Sequence, residues 1–119
     1  MIMHADFRLD GISYDRDSLL SFSHALCKAK NEYQIEMGLF LLEWLSDSPD
    51  IKLQTSGSTG NPTEIIAKKS MLAASAMTTI NTLGLLPTQK ALLCLPVRYI
   101  AAKMMLIRAL LGGLWIDVV

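Results

Sequence analysis

The sequence predicts an α/β fold, with a helical N-terminal third followed by a strand-loop-strand unit and a βαβ unit. Apolar residues recur at helical spacing through the first third of the chain. Two short apolar segments then flank a run of small residues at 55–60. From residue 90 a strand-like, a helix-like and a second strand-like segment follow one another, which predicts parallel strands joined by a right-handed crossover.

Composition sets the broad class. The 119 residues are 51% hydrophobic and 18% charged, which is typical of one globular domain with a buried core. Eleven basic residues balance eleven acidic ones, so charge gives no argument for nucleic-acid binding. The apolar stretch 100–116 is interrupted by charges and glycines and is shorter than the roughly 20 residues of a membrane span. We therefore expect a cytoplasmic protein with neither a membrane nor a nucleic-acid partner, and no signal peptide is recognisable.

The region 1–49 is predicted to be mainly helical. A loose alternation around Asp10-Gly11 indicates a short hairpin. Asp15 and Ser18 then offer N-cap chemistry for a first helix over about 17–29.

A second helix follows closely and is predicted to stop before the turn at 46–49, where serine and proline end the pattern. Its apolar stripe consists of Tyr33, Met37, Phe40, Leu41 and Trp44.

The region 50–119 is predicted to be the α/β part of a single, partial domain that covers 1–119. Strands are expected at 51–54 and 64–68, with the small-residue loop of 55–62 between them. Ser70 can cap the next helix, and Gly84 stands where a helix-terminating glycine is expected.

The βαβ unit is predicted to contain strands at 91–95 and 114–119 and a helix at 100–111. Because ligands of open α/β sheets bind beyond the carboxyl ends of strands, Arg98 and Tyr99 lie at a candidate site. The last strand, LWIDVV, has no later segment to cover its edge, so we expect part of a larger domain or a chain that self-associates through that edge.

The loop itself is rich in groups that bind anions. Glycines can adopt positive φ, and consecutive backbone N–H groups with serine and threonine hydroxyls suit a phosphate. The pattern is not a Walker loop, because no Lys-Ser/Thr pair follows the second glycine. A flexible connector is the alternative explanation. No His or Cys spacing predicts a metal site.

The string TSGSTGNP, from Thr55 to Pro62, resembles the signature of the adenylate-forming (AMP-binding) family, which includes acyl-CoA synthetases. Residues 91–113 resemble a later segment of that family, where Leu-Pro follows a strand and precedes an aromatic or histidine position. Among its subfamilies the chain is most similar to the o-succinylbenzoate-CoA ligases of menaquinone biosynthesis. The resemblance implies an N-terminal fragment of the large domain of such an enzyme.

The resemblance also implies a reaction and a set of ligands. A small-molecule carboxylic acid would react with Mg²⁺-ATP to give an acyl-adenylate, and the thiol of coenzyme A would then displace AMP. Arg98 and Tyr99 would lie by the acyl-substrate pocket. The residues implied to contact the ATP phosphates are Thr55, Ser56, Gly57, Ser58, Thr59 and Gly60.

One position departs from the family pattern, because Thr63 stands where a basic residue is usual. The missing positive charge would have to come from Lys68, Lys69 or another chain. The main catalytic residues implied by the family would lie beyond Val119, so we expect no acyl-CoA formation by these residues alone. Two alternatives stay open: a non-catalytic module that binds a nucleotide or a partner, and a self-associating piece.

Overall fold

The computed structural model describes residues 3–55, 60–61 and 63–119. Its elements, in chain order, are β1 (Arg8–Leu9), β2 (Ile12–Ser13), α1 (Arg16–Cys27), α2 (Glu32–Leu45), β3 (Asp50–Thr55), β4 (Thr63–Lys68), α3 (Lys69–Leu83), β5 (Lys90–Leu93), α4 (Ile100–Gly112) and β6 (Trp115–Val118). The predicted α/β class and the predicted order of elements are confirmed.

Local chemistry explains most helix ends. At the start of α1, the Ser18 N–H donates to Asp15 Oδ1 at 2.8 Å and the Asp15 N–H donates to Ser18 Oγ at 2.9 Å, so the predicted cap is a reciprocal one. Helix α3 ends at Gly84, whose φ is 64°, as predicted. The predicted capping role of Ser70 is wrong, because α3 begins at Lys69 and no side chain caps it.

The strands form two separate sheets. The larger sheet has the order β2-β1-β6-β5, in which β5 and β6 are parallel, β1 and β6 are parallel, and β1 and β2 are antiparallel. The parallel pairing of β5 with β6 confirms the predicted βαβ unit. The smaller sheet is the antiparallel hairpin of β3 and β4.

Strand β6 is not at an edge, so the open edge predicted for LWIDVV is wrong. The N–H groups of Arg8 and Asp10 donate to the carbonyls of Leu114 and Ile116 on one side, and the Trp115 N–H donates to Gln89 O on the other. The physical reason is that β1, a strand of two residues near the N-terminus, pairs with the side of β6 that was expected to be open. Self-association through an open edge of β6 therefore has no basis in this sheet.

One hydrophobic core joins the N-terminal region to the α/β part. Its fully buried large side chains include Phe7, Leu9, Leu19, Leu41, Ile51, Leu106, Ile107, Leu110 and Ile116. The predicted stripe of α2 is buried at Met37, Phe40, Leu41 and Trp44, but Tyr33 is 54% exposed and does not belong to it. Among the described residues, no helix is both long enough and apolar enough to cross a membrane.

Candidate functional site

The β3–β4 hairpin brings together the two ends of the predicted phosphate-binding loop. Six residue pairs are in register, from Asp50 opposite Lys68 at the base to Thr55 opposite Thr63 at the tip. The Thr55 hydroxyl donates to the Thr63 carbonyl at 3.2 Å, which closes the pairing at the tip. The prediction that the loop joins two strands is confirmed.

Only part of the predicted phosphate-binding set can be placed. Thr55 ends β3, and Gly60 has a φ of 92° with no atom within 4 Å of the position that a Cβ would occupy. A positive φ of this size favours glycine over any other residue. Ser56, Gly57, Ser58 and Thr59 lie outside the described residues, as does Pro62. The phosphate-binding role of the whole set stays a prediction.

Lys68 and Lys69, which could have replaced the missing basic residue, contact other groups. Lys68 Nζ lies 3.0 Å from Asp50 Oδ1, and Lys69 Nζ donates to the Ser46 carbonyl at 2.8 Å. Both lysines are at the base of the hairpin: Lys68 is five residue steps, or about 17 Å, from Thr63 at the tip, and Lys69 is one step farther. Within the described residues, neither amine can therefore supply a positive charge at the tip.

A second candidate region lies where the sheet rule predicts it, at the carboxyl ends of β5 and β6. A cavity of about 390 Å³ opens there beside the start of α2. The residues around it are mainly apolar and include Tyr33, Met37, Leu93, Leu95, Pro96 and Val97. Such a lining suits the apolar part of a small molecule.

Arg98 and Tyr99 lie beside this cavity and do not line it. Arg98 Nη1 is 3.6 Å from both Glu32 Oε1 and Glu36 Oε1, and its guanidinium carbon is 5.8 Å from the ring centroids of Tyr33 and Tyr99. Two carboxylates thus balance the charge of Arg98 and direct the guanidinium toward α2. The assignment of Arg98 and Tyr99 to an acyl pocket stays a prediction.

Lys103 supports the same segment, a role that sequence reasoning missed. Its ammonium donates to the Val97 carbonyl at 2.6 Å and lies 5.7 Å from the ring centroid of Phe40. Burial lowers the pKa of the Lys103 amine, and the nearby carboxylates of Glu36 and Glu43 act in the opposite direction. The only sequence signal was a lysine within a helix whose other residues, apart from Arg108, are apolar or small.

No group of three or more His, Cys, Asp or Glu side chains is placed to hold a metal ion in the described part of the chain. The site therefore consists of two separate features, the hairpin tip and the strand-end cavity. At the first, Thr55 is paired with Thr63 where the predicted phosphate-binding residues begin, and the second offers an apolar enclosure.

Comparison with known proteins indicates which larger architecture these features belong to. No protein-family model matches the chain. A search of curated protein sequences gives no significant match. Among solved structures, the chain is similar to the crystal structure of an acyl-CoA synthetase (AMP-forming)/AMP-acid ligase II-like protein from Dyadobacter fermentans DSM 18053, with a TM-score of 0.72 and 36% sequence identity.

The fold is that of part of an acyl-CoA synthetase-like domain. The similarity covers 83% of this chain and 28% of the Dyadobacter protein. The chain thus spans about 28% of the length of the structure that it matches. The expected fold class, a portion of an acyl-CoA synthetase-like domain, is confirmed.

Proposed function

We propose that this chain is part of an AMP-forming acid-CoA ligase, and that residues 55–60 hold the phosphates of ATP. One observation carries the proposal: the chain is 36% identical, over 83% of its length, to an AMP-forming acyl-CoA synthetase-like protein. The string TSGSTGNP supports it, because in the sequence this string begins at the last residue of β3 and ends just before β4, and these two strands are paired.

The proposed reaction has two steps. A carboxylate oxygen attacks the α-phosphorus of ATP, forming an acyl-adenylate and breaking the bond to pyrophosphate. The thiol of coenzyme A then attacks the acyl carbon and releases AMP, while the thiol proton passes to a base. Mg²⁺ enters this scheme together with ATP, as part of the substrate.

The contribution of residues 55–60 to the first step is electrostatic. Negative charge on the phosphate oxygens changes as pyrophosphate leaves, and donors already held in place stabilise it without reorganisation. Each hydrogen bond to a charged oxygen contributes about 1.5–3 kcal/mol. The register of β3 with β4 supports such preorganisation at Thr55, where the segment begins.

Within this class we propose o-succinylbenzoate as the acid, which makes the enzyme a cytoplasmic ligase of menaquinone biosynthesis. The basis is the similarity of the chain to that subfamily. Arg98, next to the strand-end cavity, would then recognise a substrate carboxylate after exchanging Glu32 or Glu36 for it. The apolar lining of the cavity would accommodate the aromatic ring of this acid.

The first test is calorimetric titration of the purified chain with Mg²⁺-ATP. Replacing the hydroxyl donors of the loop together, as Ser56→Ala, Ser58→Ala and Thr59→Val, is expected to weaken binding at least about tenfold. Thr78→Ala, which removes an exposed hydroxyl from α3, is the control and should leave the affinity unchanged. An unmodified chain that binds no ATP would contradict the proposal.

A second candidate is a non-catalytic module that binds a nucleotide or a partner. Thr63 in place of a basic residue favours it, as do the other partners of Lys68 and Lys69. The mass of the protein in its native cells separates the two candidates. A mass well above that of 119 residues supports the ligase, and a mass equal to it supports the module.

A further inference from the structure

The base of the hairpin contains a buried lysine that the proposed reaction does not use. Lys69 is 3% exposed, although lysine is among the residues least often buried. Its Nζ donates to the carbonyl and hydroxyl oxygens of Ser46, at 2.8 and 3.1 Å. Its backbone N–H donates to the Pro49 carbonyl at 2.9 Å. Both ends of Lys69 are therefore bonded to the turn that follows α2.

The hairpin needs such an attachment, because a two-stranded sheet has little stability of its own. Only β3 presents buried side chains, Ile51 and Leu53, whereas nearly all of β4 is exposed. A second contact comes from α2, since the Lys52 N–H donates to Glu43 Oε1 at 3.0 Å. The end of α2 thus holds the hairpin both at its base and along β3.

The groups around Lys69 fix the position of its amine. Burial lowers the pKa of the Lys69 amine, while the carboxylates of Glu43 and Asp47 act in the opposite direction. A buried amine is costly unless its hydrogen bonds are made, and Ser46 supplies two of them. A cavity of about 520 Å³ borders Lys69 and the end of α2. If residue 69 lacked these hydrogen bonds, the hairpin would have room to shift into this space.

We propose that Lys69 is a positioning residue: by bonding to Ser46 it holds the hairpin against α2 and so positions the paired Thr55 and Thr63 at the tip, where the segment proposed to hold the ATP phosphates begins. The ATP part of this inference rests on the proposed function. The six-pair register transmits the position of the base to the tip, because paired strands move together.

The first measurement is amide hydrogen exchange of the full chain and three variants. Lys69→Met removes the donors but keeps most of the apolar stem, and Lys69→Arg restores donors at the same place. Lys68→Met is the matched control, because its exposed ion pair with Asp50 is expected to contribute little. In Lys69→Met the β3 and β4 amides should exchange at least about tenfold faster while the α4 amides are unchanged. Lys69→Arg should restore most of the protection.

The second measurement is the affinity of the same proteins for Mg²⁺-ATP. Lys69→Met is expected to weaken binding about tenfold, with recovery in Lys69→Arg and no change in Lys68→Met. If Lys69→Met does not fold, Lys69→Gln, which keeps one donor, replaces it in both measurements.

Two results would overturn the proposal. Equal acceleration of exchange in the hairpin, α1 and α4 would mean that Lys69 supports the whole fold and not the hairpin. A loosened hairpin with unchanged ATP affinity would mean that the hairpin base does not position the binding segment. If the unmodified chain binds no ATP, the proposed function fails, and the exchange data alone still decide whether Lys69 anchors the hairpin.

Discussion

At the scale of single residues, close backbone contacts define which positions tolerate change. Gly38 lies in α2 where this helix crosses α1. A Cβ there would meet the Ser23 carbonyl oxygen at 2.7 Å, Leu26 Cβ at 2.8 Å and the Cys27 nitrogen at 3.0 Å. In sequence Gly38 is a helix-weakening residue, and the structure explains it as the point of closest approach between two helices.

Gly38→Ala is expected to lower the free energy of unfolding by about 1–3 kcal/mol, because α1 backbone atoms must move to admit the methyl group. Gly112→Ala is the matched control, since its Cβ would meet the mobile end of a side chain, Ile80 Cδ1, at 2.9 Å. Chemical denaturation of both variants provides the measurement. Equal losses of unfolding free energy in the two variants would show that the close contact between α1 and α2 does not restrict the residue type at position 38.

Two lysine side chains with backbone partners also belong to this scale. Lys69, which is buried, and Lys103, which is partly buried, donate to the backbone carbonyls of Ser46 and Val97 respectively. Hydrogen bonds from ammonium groups to carbonyls are stronger than those between neutral groups. Lys69 therefore stabilises the base of the hairpin, and Lys103 stabilises the segment beside the strand-end cavity.

At the scale of elements, α1 shows how a helix start depends on charge. The Ser18 N–H donates to the carboxylate of Asp15, and this bond, together with the Ser18 side chain, holds the pKa of the Asp15 carboxyl below the ordinary value of 3.8. A carboxyl whose pKa is lowered in the folded state stabilises the fold above its unfolded pKa. This contribution is lost as the pH falls through the lower folded value.

Asp15→Asn keeps an acceptor for the Ser18 N–H and removes only the charge. We expect the unmodified chain to be more stable than this variant above about pH 4, and the difference to shrink as the pH falls below the unfolded pKa. Unfolding free energies measured from about pH 2 to 7 provide the check. Asp17→Asn is the control. It removes an equal charge from the same turn and so measures the effect of losing a negative charge there while the Asp15 cap is kept. A difference that does not vary with pH would contradict the argument.

At the scale of the whole molecule, β6 joins the two ends of the chain. It pairs with β1 through Leu9 opposite Ile116, and with β5 through Ala91 opposite the same isoleucine. Ile116 is completely buried. The core thus depends on β6, which lies between β1 and β5, two strands that are far apart in the sequence.

Ile116→Ala is expected to lower the free energy of unfolding by about 2–5 kcal/mol, because it leaves a cavity in the middle of the sheet. Val118→Ala, on the same strand at a side chain that is 42% exposed, is the control and should cost about 1 kcal/mol or less. Denaturant unfolding of both variants distinguishes them. Similar losses would argue against a central position for Ile116.

Several elements could be predicted because their causes are local. The N-cap at Asp15 and the glycine after α3 set helix ends within one or two residues of those predicted. The two charged residues of α4, Lys103 and Arg108, did not hide that helix, because its other residues are almost all apolar. Tyr33 was assigned to the wrong surface, since periodicity alone does not reveal that Arg98 lies beside it.

The sequence by itself determined the four helices, the two strands around the small-residue run, and the similarity of that run to a phosphate-binding signature. These features follow from periodicity, caps and glycine, which act over a few neighbouring residues. Only the tertiary structure decided that β1 covers β6, that Lys69 is buried, that Lys103 lies against Phe40, and that Arg98 faces Glu32 and Glu36. Each of these depends on residues distant in sequence, whose contacts form only when the chain folds and buries its apolar surface as a whole.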